Sequence, residues 1–317
     1  MGSSQSKTNK QYIAEATQGI ANLRLALENG LEVDRPDSEG NYLIFEAVKK
    51  DLSSATKMLI AWEADVNIKW VNGLTPLHIC KSYKCAKLLL DSGAKVTYDI
   101  RGMSPLQRSI YQRETDIDLF ELLLEHDKDI EHKDNDGETA LDMAVSKNRV
   151  DLAKILIDKG ARARPEMIGE AWSKNAWSMI DLLVKSGCET SSYEDENGNN
   201  ALNLVSDEPI SEETFDIILK NTDDVNKQNK NGLTALHYVC KKGKTVRARK
   251  LLARGAKVKI MTYQGHDALD FCIDDETGKL IIGALEAEDN AWKERIMRLE
   301  RMVGSATQGY EVVDRPA

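Results

Sequence analysis

Asn72-Gly73-Leu74-Thr75-Pro76-Leu77-His78 and Asn231-Gly232-Leu233-Thr234-Ala235-Leu236-His237 differ at one position, where proline stands in the first and alanine in the second. Five further segments keep the glycine and a leucine after it, which places these glycines at 40, 73, 102, 137, 198, 232 and 265. Their separations are 33, 29, 35, 61, 34 and 33 residues, and 61 is close to two periods. A recurring period of this length indicates a repeat protein.

A second series of glycines closes leucine-rich stretches, at positions 30, 93, 160, 187 and 255. Glycine ends helices because it adopts positive φ without steric cost. In the first series, glycine after a polar residue favours a tight turn. Thr75 and Thr234 then suit the N-cap of a following helix, and Pro76 suits its first turn. Each period therefore predicts a turn followed by two helices.

The motifs at 75–78 and 234–237, at a period near 33, resemble the ankyrin-repeat signature. This resemblance implies an all-α repeat solenoid, with stacked helix pairs and β-hairpin fingers on one side, over residues 12–290. It also implies a general binding scaffold that holds partners with its fingers and inner helices. We expect about nine units, an N-terminal cap and repeats one to eight, at 12–36, 37–69, 70–98, 99–133, 134–163, 164–194, 195–228, 229–261 and 262–287.

Several segments depart from the repeat. Gly160 and Gly187 are only 27 residues apart with no turn motif between them, so repeat five is predicted to lack its finger. Residues 1–11 are predicted to be flexible and residues 304–317 mobile. An amphipathic capping helix is predicted over 288–303, because its apolar residues recur at helical spacing: Trp292, Ile296, Leu299 and Val303.

The sequence contains no phosphate-cradling glycine loop, no metalloprotease His-Glu pair and no nucleophile elbow, which argues against catalysis. The 317 residues are 41% hydrophobic with a net charge of -9, and no apolar run approaches the length of about 18 residues that suggests a membrane span. The five scattered cysteines favour reduced thiols in a cytosolic protein. His78, Cys80 and Cys85 are the nearest approach to a metal cluster, but they occupy structural positions of the repeat. We therefore expect no enzymatic activity and no cofactor.

The N-terminus begins Met1-Gly2-Ser3-Ser4-Gln5-Ser6-Lys7. Gly2 with Ser6 fits the N-myristoylation pattern, and Lys7 makes the segment resemble the start of Src-type tyrosine kinases. The alternative is a short polar start of the kind found in expression tags. A single myristoyl chain anchors a protein only marginally, so we expect a weak peripheral membrane association.

The finger tips differ in character between repeats. Those of repeats four and six are acidic, and their residues are Asp134, Asp136, Glu138, Asp195 and Glu196. Those of repeats two and three are apolar, and with the end of the following helix they supply Trp70, Val71, Leu74, Ile100, Met103 and Tyr111. A cluster of exposed apolar and aromatic residues predicts a partner-binding patch. The alternative for Trp70 is local packing.

Residues 241–259 contain nine bases and no acid: Lys241, Lys242, Lys244, Arg247, Arg249, Lys250, Arg254, Lys257 and Lys259. One interpretation is a basic docking stripe for an acidic partner, such as an anionic membrane, a phosphoprotein or an acidic protein tail. The alternative is a solvated helix pair. Nucleic acid is disfavoured, because no aromatic residues are interleaved with these bases.

These observations favour a cytoplasmic, non-catalytic protein-interaction scaffold or adaptor, tethered to a membrane if Gly2 is acylated. One alternative is a structural component of a cytoskeletal or ciliary assembly, which would use several faces at once. Another is a direct inhibitor of a partner enzyme, which would use the same surface as an adaptor.

Overall fold

The computed structural model describes residues 8–16, 20–112, 114–206 and 208–290. These residues divide into two compact units, the first ending at Leu182 and the second beginning at Leu183. Gly2, most of the predicted capping helix 288–303 and the predicted mobile tail 304–317 lie outside the described residues.

The first unit consists of short helices joined by turns. In chain order they are α1 (Asn9–Ala16), α2 (Ala21–Glu28), α3 (Leu43–Lys49), α4 (Ser53–Ala61), a 3-10 helix (Pro76–Ile79), α5 (Tyr83–Asp91), α6 (Pro105–Ile110), α7 (Ile117–His126), α8 (Ala140–Ser146), α9 (Val150–Asp158) and α10 (Glu166–Ser173). They are followed by α11 (Trp177–Lys185), which contains the division between the units.

The second unit continues the same alternation. Its helices are α12 (Ala201–Val205), α13 (Glu212–Asn221), α14 (Ala235–Lys241), α15 (Thr245–Ala253), a 3-10 helix (Leu269–Phe271) and a helix over residues 275–290, where the described chain ends. Within the described residues, the β-structure is limited to one isolated bridge between Glu194 and Asn200. The predicted fold class, an all-α repeat solenoid, is confirmed.

The helices pack in two layers. In the first unit the inner layer runs through α1, α3, the 3-10 helix, α6, α8 and α10, and the outer layer through α4, α5, α7 and α9. Leucines of the outer helices, among them Leu59, Leu89 and Leu156, are fully buried between the layers. Small residues such as Ala86 and Ala144 allow neighbouring helices to approach closely. Burial of this apolar face supplies the main driving force for folding.

The predicted N-caps are present as capping boxes. Thr75 is hydrogen-bonded to His78 three residues later, and Thr234 is bonded to His237 in the same way. In repeat three the same arrangement joins Ser104 to Gln107. Each box satisfies backbone N–H groups that the first turn of a helix leaves unpaired.

The fingers are five-residue turns. They cover residues 37–41, 70–74, 99–103, 134–138, 195–199, 229–233 and 262–266, and in each the first N–H donates to the last carbonyl. The glycine at the fourth position has φ between 72° and 85°, which a residue with a side chain rarely adopts. In repeat five the segment 161–165 leads directly from Gly160 into α10 without such a turn.

Candidate interaction surface

The turns of repeats two, three and four form a hydrogen-bonded ladder. The Ile100 N–H donates to the Asn72 carbonyl at 3.1 Å, and the Asn135 N–H donates to the Arg101 carbonyl at 2.9 Å. The turns of repeats three and four are thus each fixed to the preceding turn. The tip residues are held in a rigid row.

Three of the predicted patch residues are exposed. Val71 is 88% exposed, Ile100 66% and Tyr111 43%. Val71 and Ile100 lie on neighbouring turns, and Ile100 packs over Gly73, where a Cβ would lie 3.4 Å from Ile100 Cγ2. Tyr111 ends α6, and the Lys147 Nζ lies 4.7 Å from the centre of its ring. We call Val71, Ile100 and Tyr111 the apolar patch.

The expectation that Leu74 and Met103 are exposed tip residues is wrong. Leu74 is only 7% exposed and Met103 only 2%. Their carbonyls close the turns, and the next residue in each case is the helix N-cap. An apolar side chain just before an N-cap packs back onto the helix rather than outward. Both residues therefore belong to the core.

Trp70 packs locally, as the alternative interpretation of its role predicts. Its ring lies 5.5 Å from the ring of Phe45 at an angle of 53°, and the side chain is half-buried. It occupies the first position of its turn, where repeat three has Asp99 and repeat four has Asp134. Those aspartates accept hydrogen bonds from two N–H groups of their own turns. Trp70 instead ties its turn to the preceding repeat.

An acidic turn borders the apolar patch. The pKa of Glu138 is raised by partial burial and by the neighbouring carboxylates, with Asp134 the largest of these. The pKa of Tyr111 is also raised, by burial first and then by Glu138. Asp136 forms an ion pair with Arg101 at 3.1 Å. The surface beside the patch is therefore negatively charged.

The basic segment does not form one stripe, and the inclusion of Arg247 in it is wrong. Arg247 is only 3% exposed. Its guanidinium donates to the Glu212 carboxylate and stacks 5.0 Å from the centre of the Phe215 ring. It also donates to four backbone carbonyls, those of Val205, Ser206, Glu208 and Ile210. Arg247 is a structural clamp for the loop between α12 and α13.

Other bases of this segment are also engaged. Lys250 pairs with both Glu212 and Asp216, and Lys259 pairs with Asp289. Arg254 donates to the Lys220 carbonyl at 3.3 Å. Five bases form no ion pair with any residue that the structure describes, namely Lys241, Lys242, Lys244, Arg249 and Lys257. The basic surface that remains for a partner is smaller than predicted.

His78 is a structural residue. Its Nδ1 accepts from the Thr75 N–H at 3.1 Å, and its Nε2 lies 3.2 Å from the Met103 carbonyl. Burial lowers its pKa to about 4, so the ring is neutral. Within the described ranges, no group of three or more His, Cys, Asp or Glu residues could hold a metal ion. No helix in the described part of the chain has the length and apolar character needed to cross a membrane.

A second set of exposed apolar residues was missed. Tyr263 lies at the tip of the repeat-eight turn, Met261 precedes that turn, and Ile273 follows the 3-10 helix of the second unit. The signal was available, because Tyr263 occupies the same turn position as Val71 and Ile100.

Comparison with known proteins supports this architecture. The family model described as ankyrin repeats (3 copies) matches residues 97–166 and 205–289, and the single ankyrin-repeat model matches residues 72–99. Human Rabankyrin-5 is 28% identical over 250 residues, covering 74% of this chain and 21% of the relative. Human ankyrin repeat and SOCS box protein 11 is 28% identical over 116 residues, which cover 36% of this chain and 35% of the relative.

The chicken nuclear factor NF-kappa-B p105 subunit is 25% identical over 262 residues, covering 78% of this chain and 24% of the relative. This chain thus spans about a fifth to a third of the length of these three relatives. What they share with it is the repeat array.

Proposed function

This chain belongs to the ankyrin-repeat proteins, and from that premise we propose that it is a non-catalytic adaptor whose apolar patch binds a protein partner. The observation that carries the proposal is the exposure of Val71 and Ile100, on turns joined by a backbone hydrogen bond, and of Tyr111 at the end of α6. Rigid apolar anchors bind at low cost in conformational entropy.

The apolar patch contributes little to the fold. The side chains of Val71 and Ile100 are exposed at the turns. Burial of their apolar surface against a partner would therefore be favourable in free energy. A partner that covers them is the simplest reason for large apolar side chains at these tips. Charged residues nearby, namely Lys147 over the Tyr111 ring and Asp136 paired with Arg101, suit the polar rim of such an interface.

Affinity capture with the full chain tests this proposal. We would compare wild type with the double variant Val71→Ser and Ile100→Ser by quantitative mass spectrometry of the captured proteins. Val246→Ser is the matched control, because Val246 is an exposed valine on α15 of the second unit. Partners lost with the double variant and retained with the control support the patch. Identical capture by all three proteins would exclude the apolar patch as the binding surface.

We also propose, from the sequence, that Gly2 accepts myristate and that the protein is cytoplasmic with a weak membrane association. The mass of the intact native chain tests acylation, and a retained Met1 or an acetylated start would refute it. Gly2→Ala should move the protein from the membrane to the soluble fraction only modestly, because one acyl chain is a weak anchor.

The alternative of a cytoskeletal or ciliary component draws on the second unit. Lys241 and Lys242 end α14 without ion pairs to described residues, and Tyr263 and Ile273 are exposed in the next repeat. Such a surface suits an acidic partner. Cell fractionation separates the two functions, since a lattice component would be extracted from the cytoskeleton by salt, whereas an adaptor would be soluble or released by detergent.

A further inference from the structure

The hydrogen-bonded ladder of turns in the first unit ends at repeat four. The Asn72 and Arg101 carbonyls each accept an N–H from the next turn, but no described residue donates to the Asp136 carbonyl, which holds the same position in its turn. Gly73 and Gly102 are covered by the turns that follow them, whereas nothing lies within 4 Å of a Cβ built on Gly137. Repeat five has no turn to fill this place.

A cavity of ≈ 270 Å³ lies beside this last turn. Its lining residues are Gly137, Glu138, Asp142, Val145, Ser146, Arg164, Glu166, Met167 and Glu170. Val145 and Met167 are themselves buried. The lining therefore combines apolar side chains with four carboxylates and one guanidinium.

The charges around the cavity are not balanced within the described chain. Arg164 pairs with Asp142 and Lys174 pairs with Glu170, but Glu138 and Glu166 have no ion pair with a described residue. The raised pKa of Glu138 has burial as its first cause and four nearby carboxylates as the others. The cavity thus favours a positively charged group.

A buried carboxylate oxygen in the same turn also lacks a cationic partner. Asp134 Oδ2 is buried and has no hydrogen-bond partner among the described residues, while Asp134 Oδ1 accepts from the Glu138 N–H at 3.0 Å. In repeat three the equivalent Asp99 Oδ2 accepts from the Arg108 guanidinium at 2.6 Å. Met143 replaces that arginine in repeat four. The chain supplies a guanidinium to this carboxylate in one repeat and omits it in the next.

We propose that an extended segment of a protein partner occupies the place of the missing finger of repeat five. Its backbone donates an N–H to the Asp136 carbonyl, and it places an arginine side chain in the cavity between Glu138 and Glu166. Arginine suits the site better than lysine, because its planar guanidinium can donate to two carboxylates at once. This inference rests on the proposed function and specifies the chemistry of the partner.

Peptide binding to the full chain tests it. The probes are acetyl-Ala-Ile-Arg-Ile-Ala-amide and the same peptide with citrulline, which keeps the shape of arginine but has no charge. The arginine peptide should shift the amide NMR signals of Gly137, Glu138, Val145 and Met167 in a saturable way. The citrulline peptide should bind about tenfold more weakly, the loss expected for a charged hydrogen bond.

Variants assign the effect to the cavity. Glu138→Gln with Glu166→Gln should weaken binding of the arginine peptide by about tenfold or more. Glu196→Gln, at an exposed acid on a turn tip of the second unit, should leave it unchanged. Melting temperatures no lower than that of the wild type show that all of these proteins are folded.

Four results would overturn the inference. They are no shift at these amides, equal affinity for the arginine and citrulline peptides, unchanged affinity in the Glu138 and Glu166 variant, and tighter binding of the same peptide with glutamate in place of arginine. Val71→Ser with Ile100→Ser should not alter binding of these probes. Failure of the cavity is therefore distinguishable from failure of the apolar patch.

Discussion

At the scale of single residues, Arg247 lies in a segment whose sequence predicts a surface charge cluster. Its buried side chain is instead a structural clamp for the loop between α12 and α13. It donates to the backbone carbonyls of Val205, Ser206, Glu208 and Ile210, in or next to the loop between α12 and α13. We expect Arg247→Ala to lower the free energy of unfolding by about 3 kcal/mol, because buried carbonyls and Glu212 lose their donor. Arg249→Ala, at an exposed base on the same helix, should change it by less than about 0.5 kcal/mol. Urea denaturation measures both, and equal losses would contradict the clamp.

Trp70 is also expected to stabilise the fold, although it lies in an exposed turn. Its ring contacts Phe45 of the preceding repeat. Trp70→Ala should lower the free energy of unfolding by about 1–2 kcal/mol, the combined effect of a lost aromatic pair and a half-buried surface. Thermal unfolding followed by circular dichroism measures this. An unchanged melting temperature would show that the ring contributes nothing to the fold.

Glu138 gives a prediction about pH. Its pKa is raised in the folded protein, so the folded state favours the protonated carboxyl and is penalised when the carboxyl ionises. The penalty is absent below the ordinary value of 4.5 and appears as the pH rises through the raised pKa. Glu138→Gln should therefore stabilise the protein at neutral pH, by less than about 1 kcal/mol, and not at about pH 3.5. An equal gain in the free energy of unfolding at both pH values would show that ionisation of Glu138 is not its cause.

At the scale of secondary-structure elements, the capping box couples a helix start to pH. His78 must be neutral for its Nδ1 to accept from Thr75, and its pKa is lowered to about 4 from an ordinary 6.5. The free energy of unfolding therefore decreases as the pH falls from 6.5 toward 4, and at pH 5 it is about 2 kcal/mol lower than at neutral pH. His78→Gln should remove this dependence, because Gln107 makes the same contact with Ser104 in repeat three. Denaturation at about pH 7 and pH 5 checks this, and the same pH dependence in the variant would exclude His78 as its source.

The elements could be predicted because their signals are local. A glycine with positive φ or a Thr followed by His three residues later fixes a turn or a helix start within a few residues. Burial could not be predicted in the same way. Whether Arg247 faces solvent depends on Glu212 and Phe215, which the preceding repeat places against it and which lie far away in the sequence. One local signal was missed, the Asp or Asn three residues before most turn glycines, whose absence at Trp70 indicates a different role.

At the scale of the whole molecule, each unit presents its own kind of surface. The first unit has the apolar patch beside an acidic turn and the cavity of repeat four. The second has exposed apolar residues around Tyr263 and, at the end of α14, two lysines without ion pairs to described residues. The position of the turns followed from glycine spacing, and the absence of the fifth finger followed from the short spacing of Gly160 and Gly187 together with the missing turn motif between them. Which residues are exposed on each surface could be determined only from the packing of the side chains in the structure.

The central claim is that Val71, Ile100 and Tyr111 form the partner-binding surface. Its most direct test is the dissociation constant of the partner recovered by affinity capture, measured calorimetrically for wild type, for Val71→Ser with Ile100→Ser, and for the Val246→Ser control. A central apolar anchor commonly contributes about 2 kcal/mol to binding, so the double variant should bind at least about thirtyfold more weakly with an unchanged melting temperature. The control should bind as wild type does. Equal affinity in all three proteins would contradict the claim.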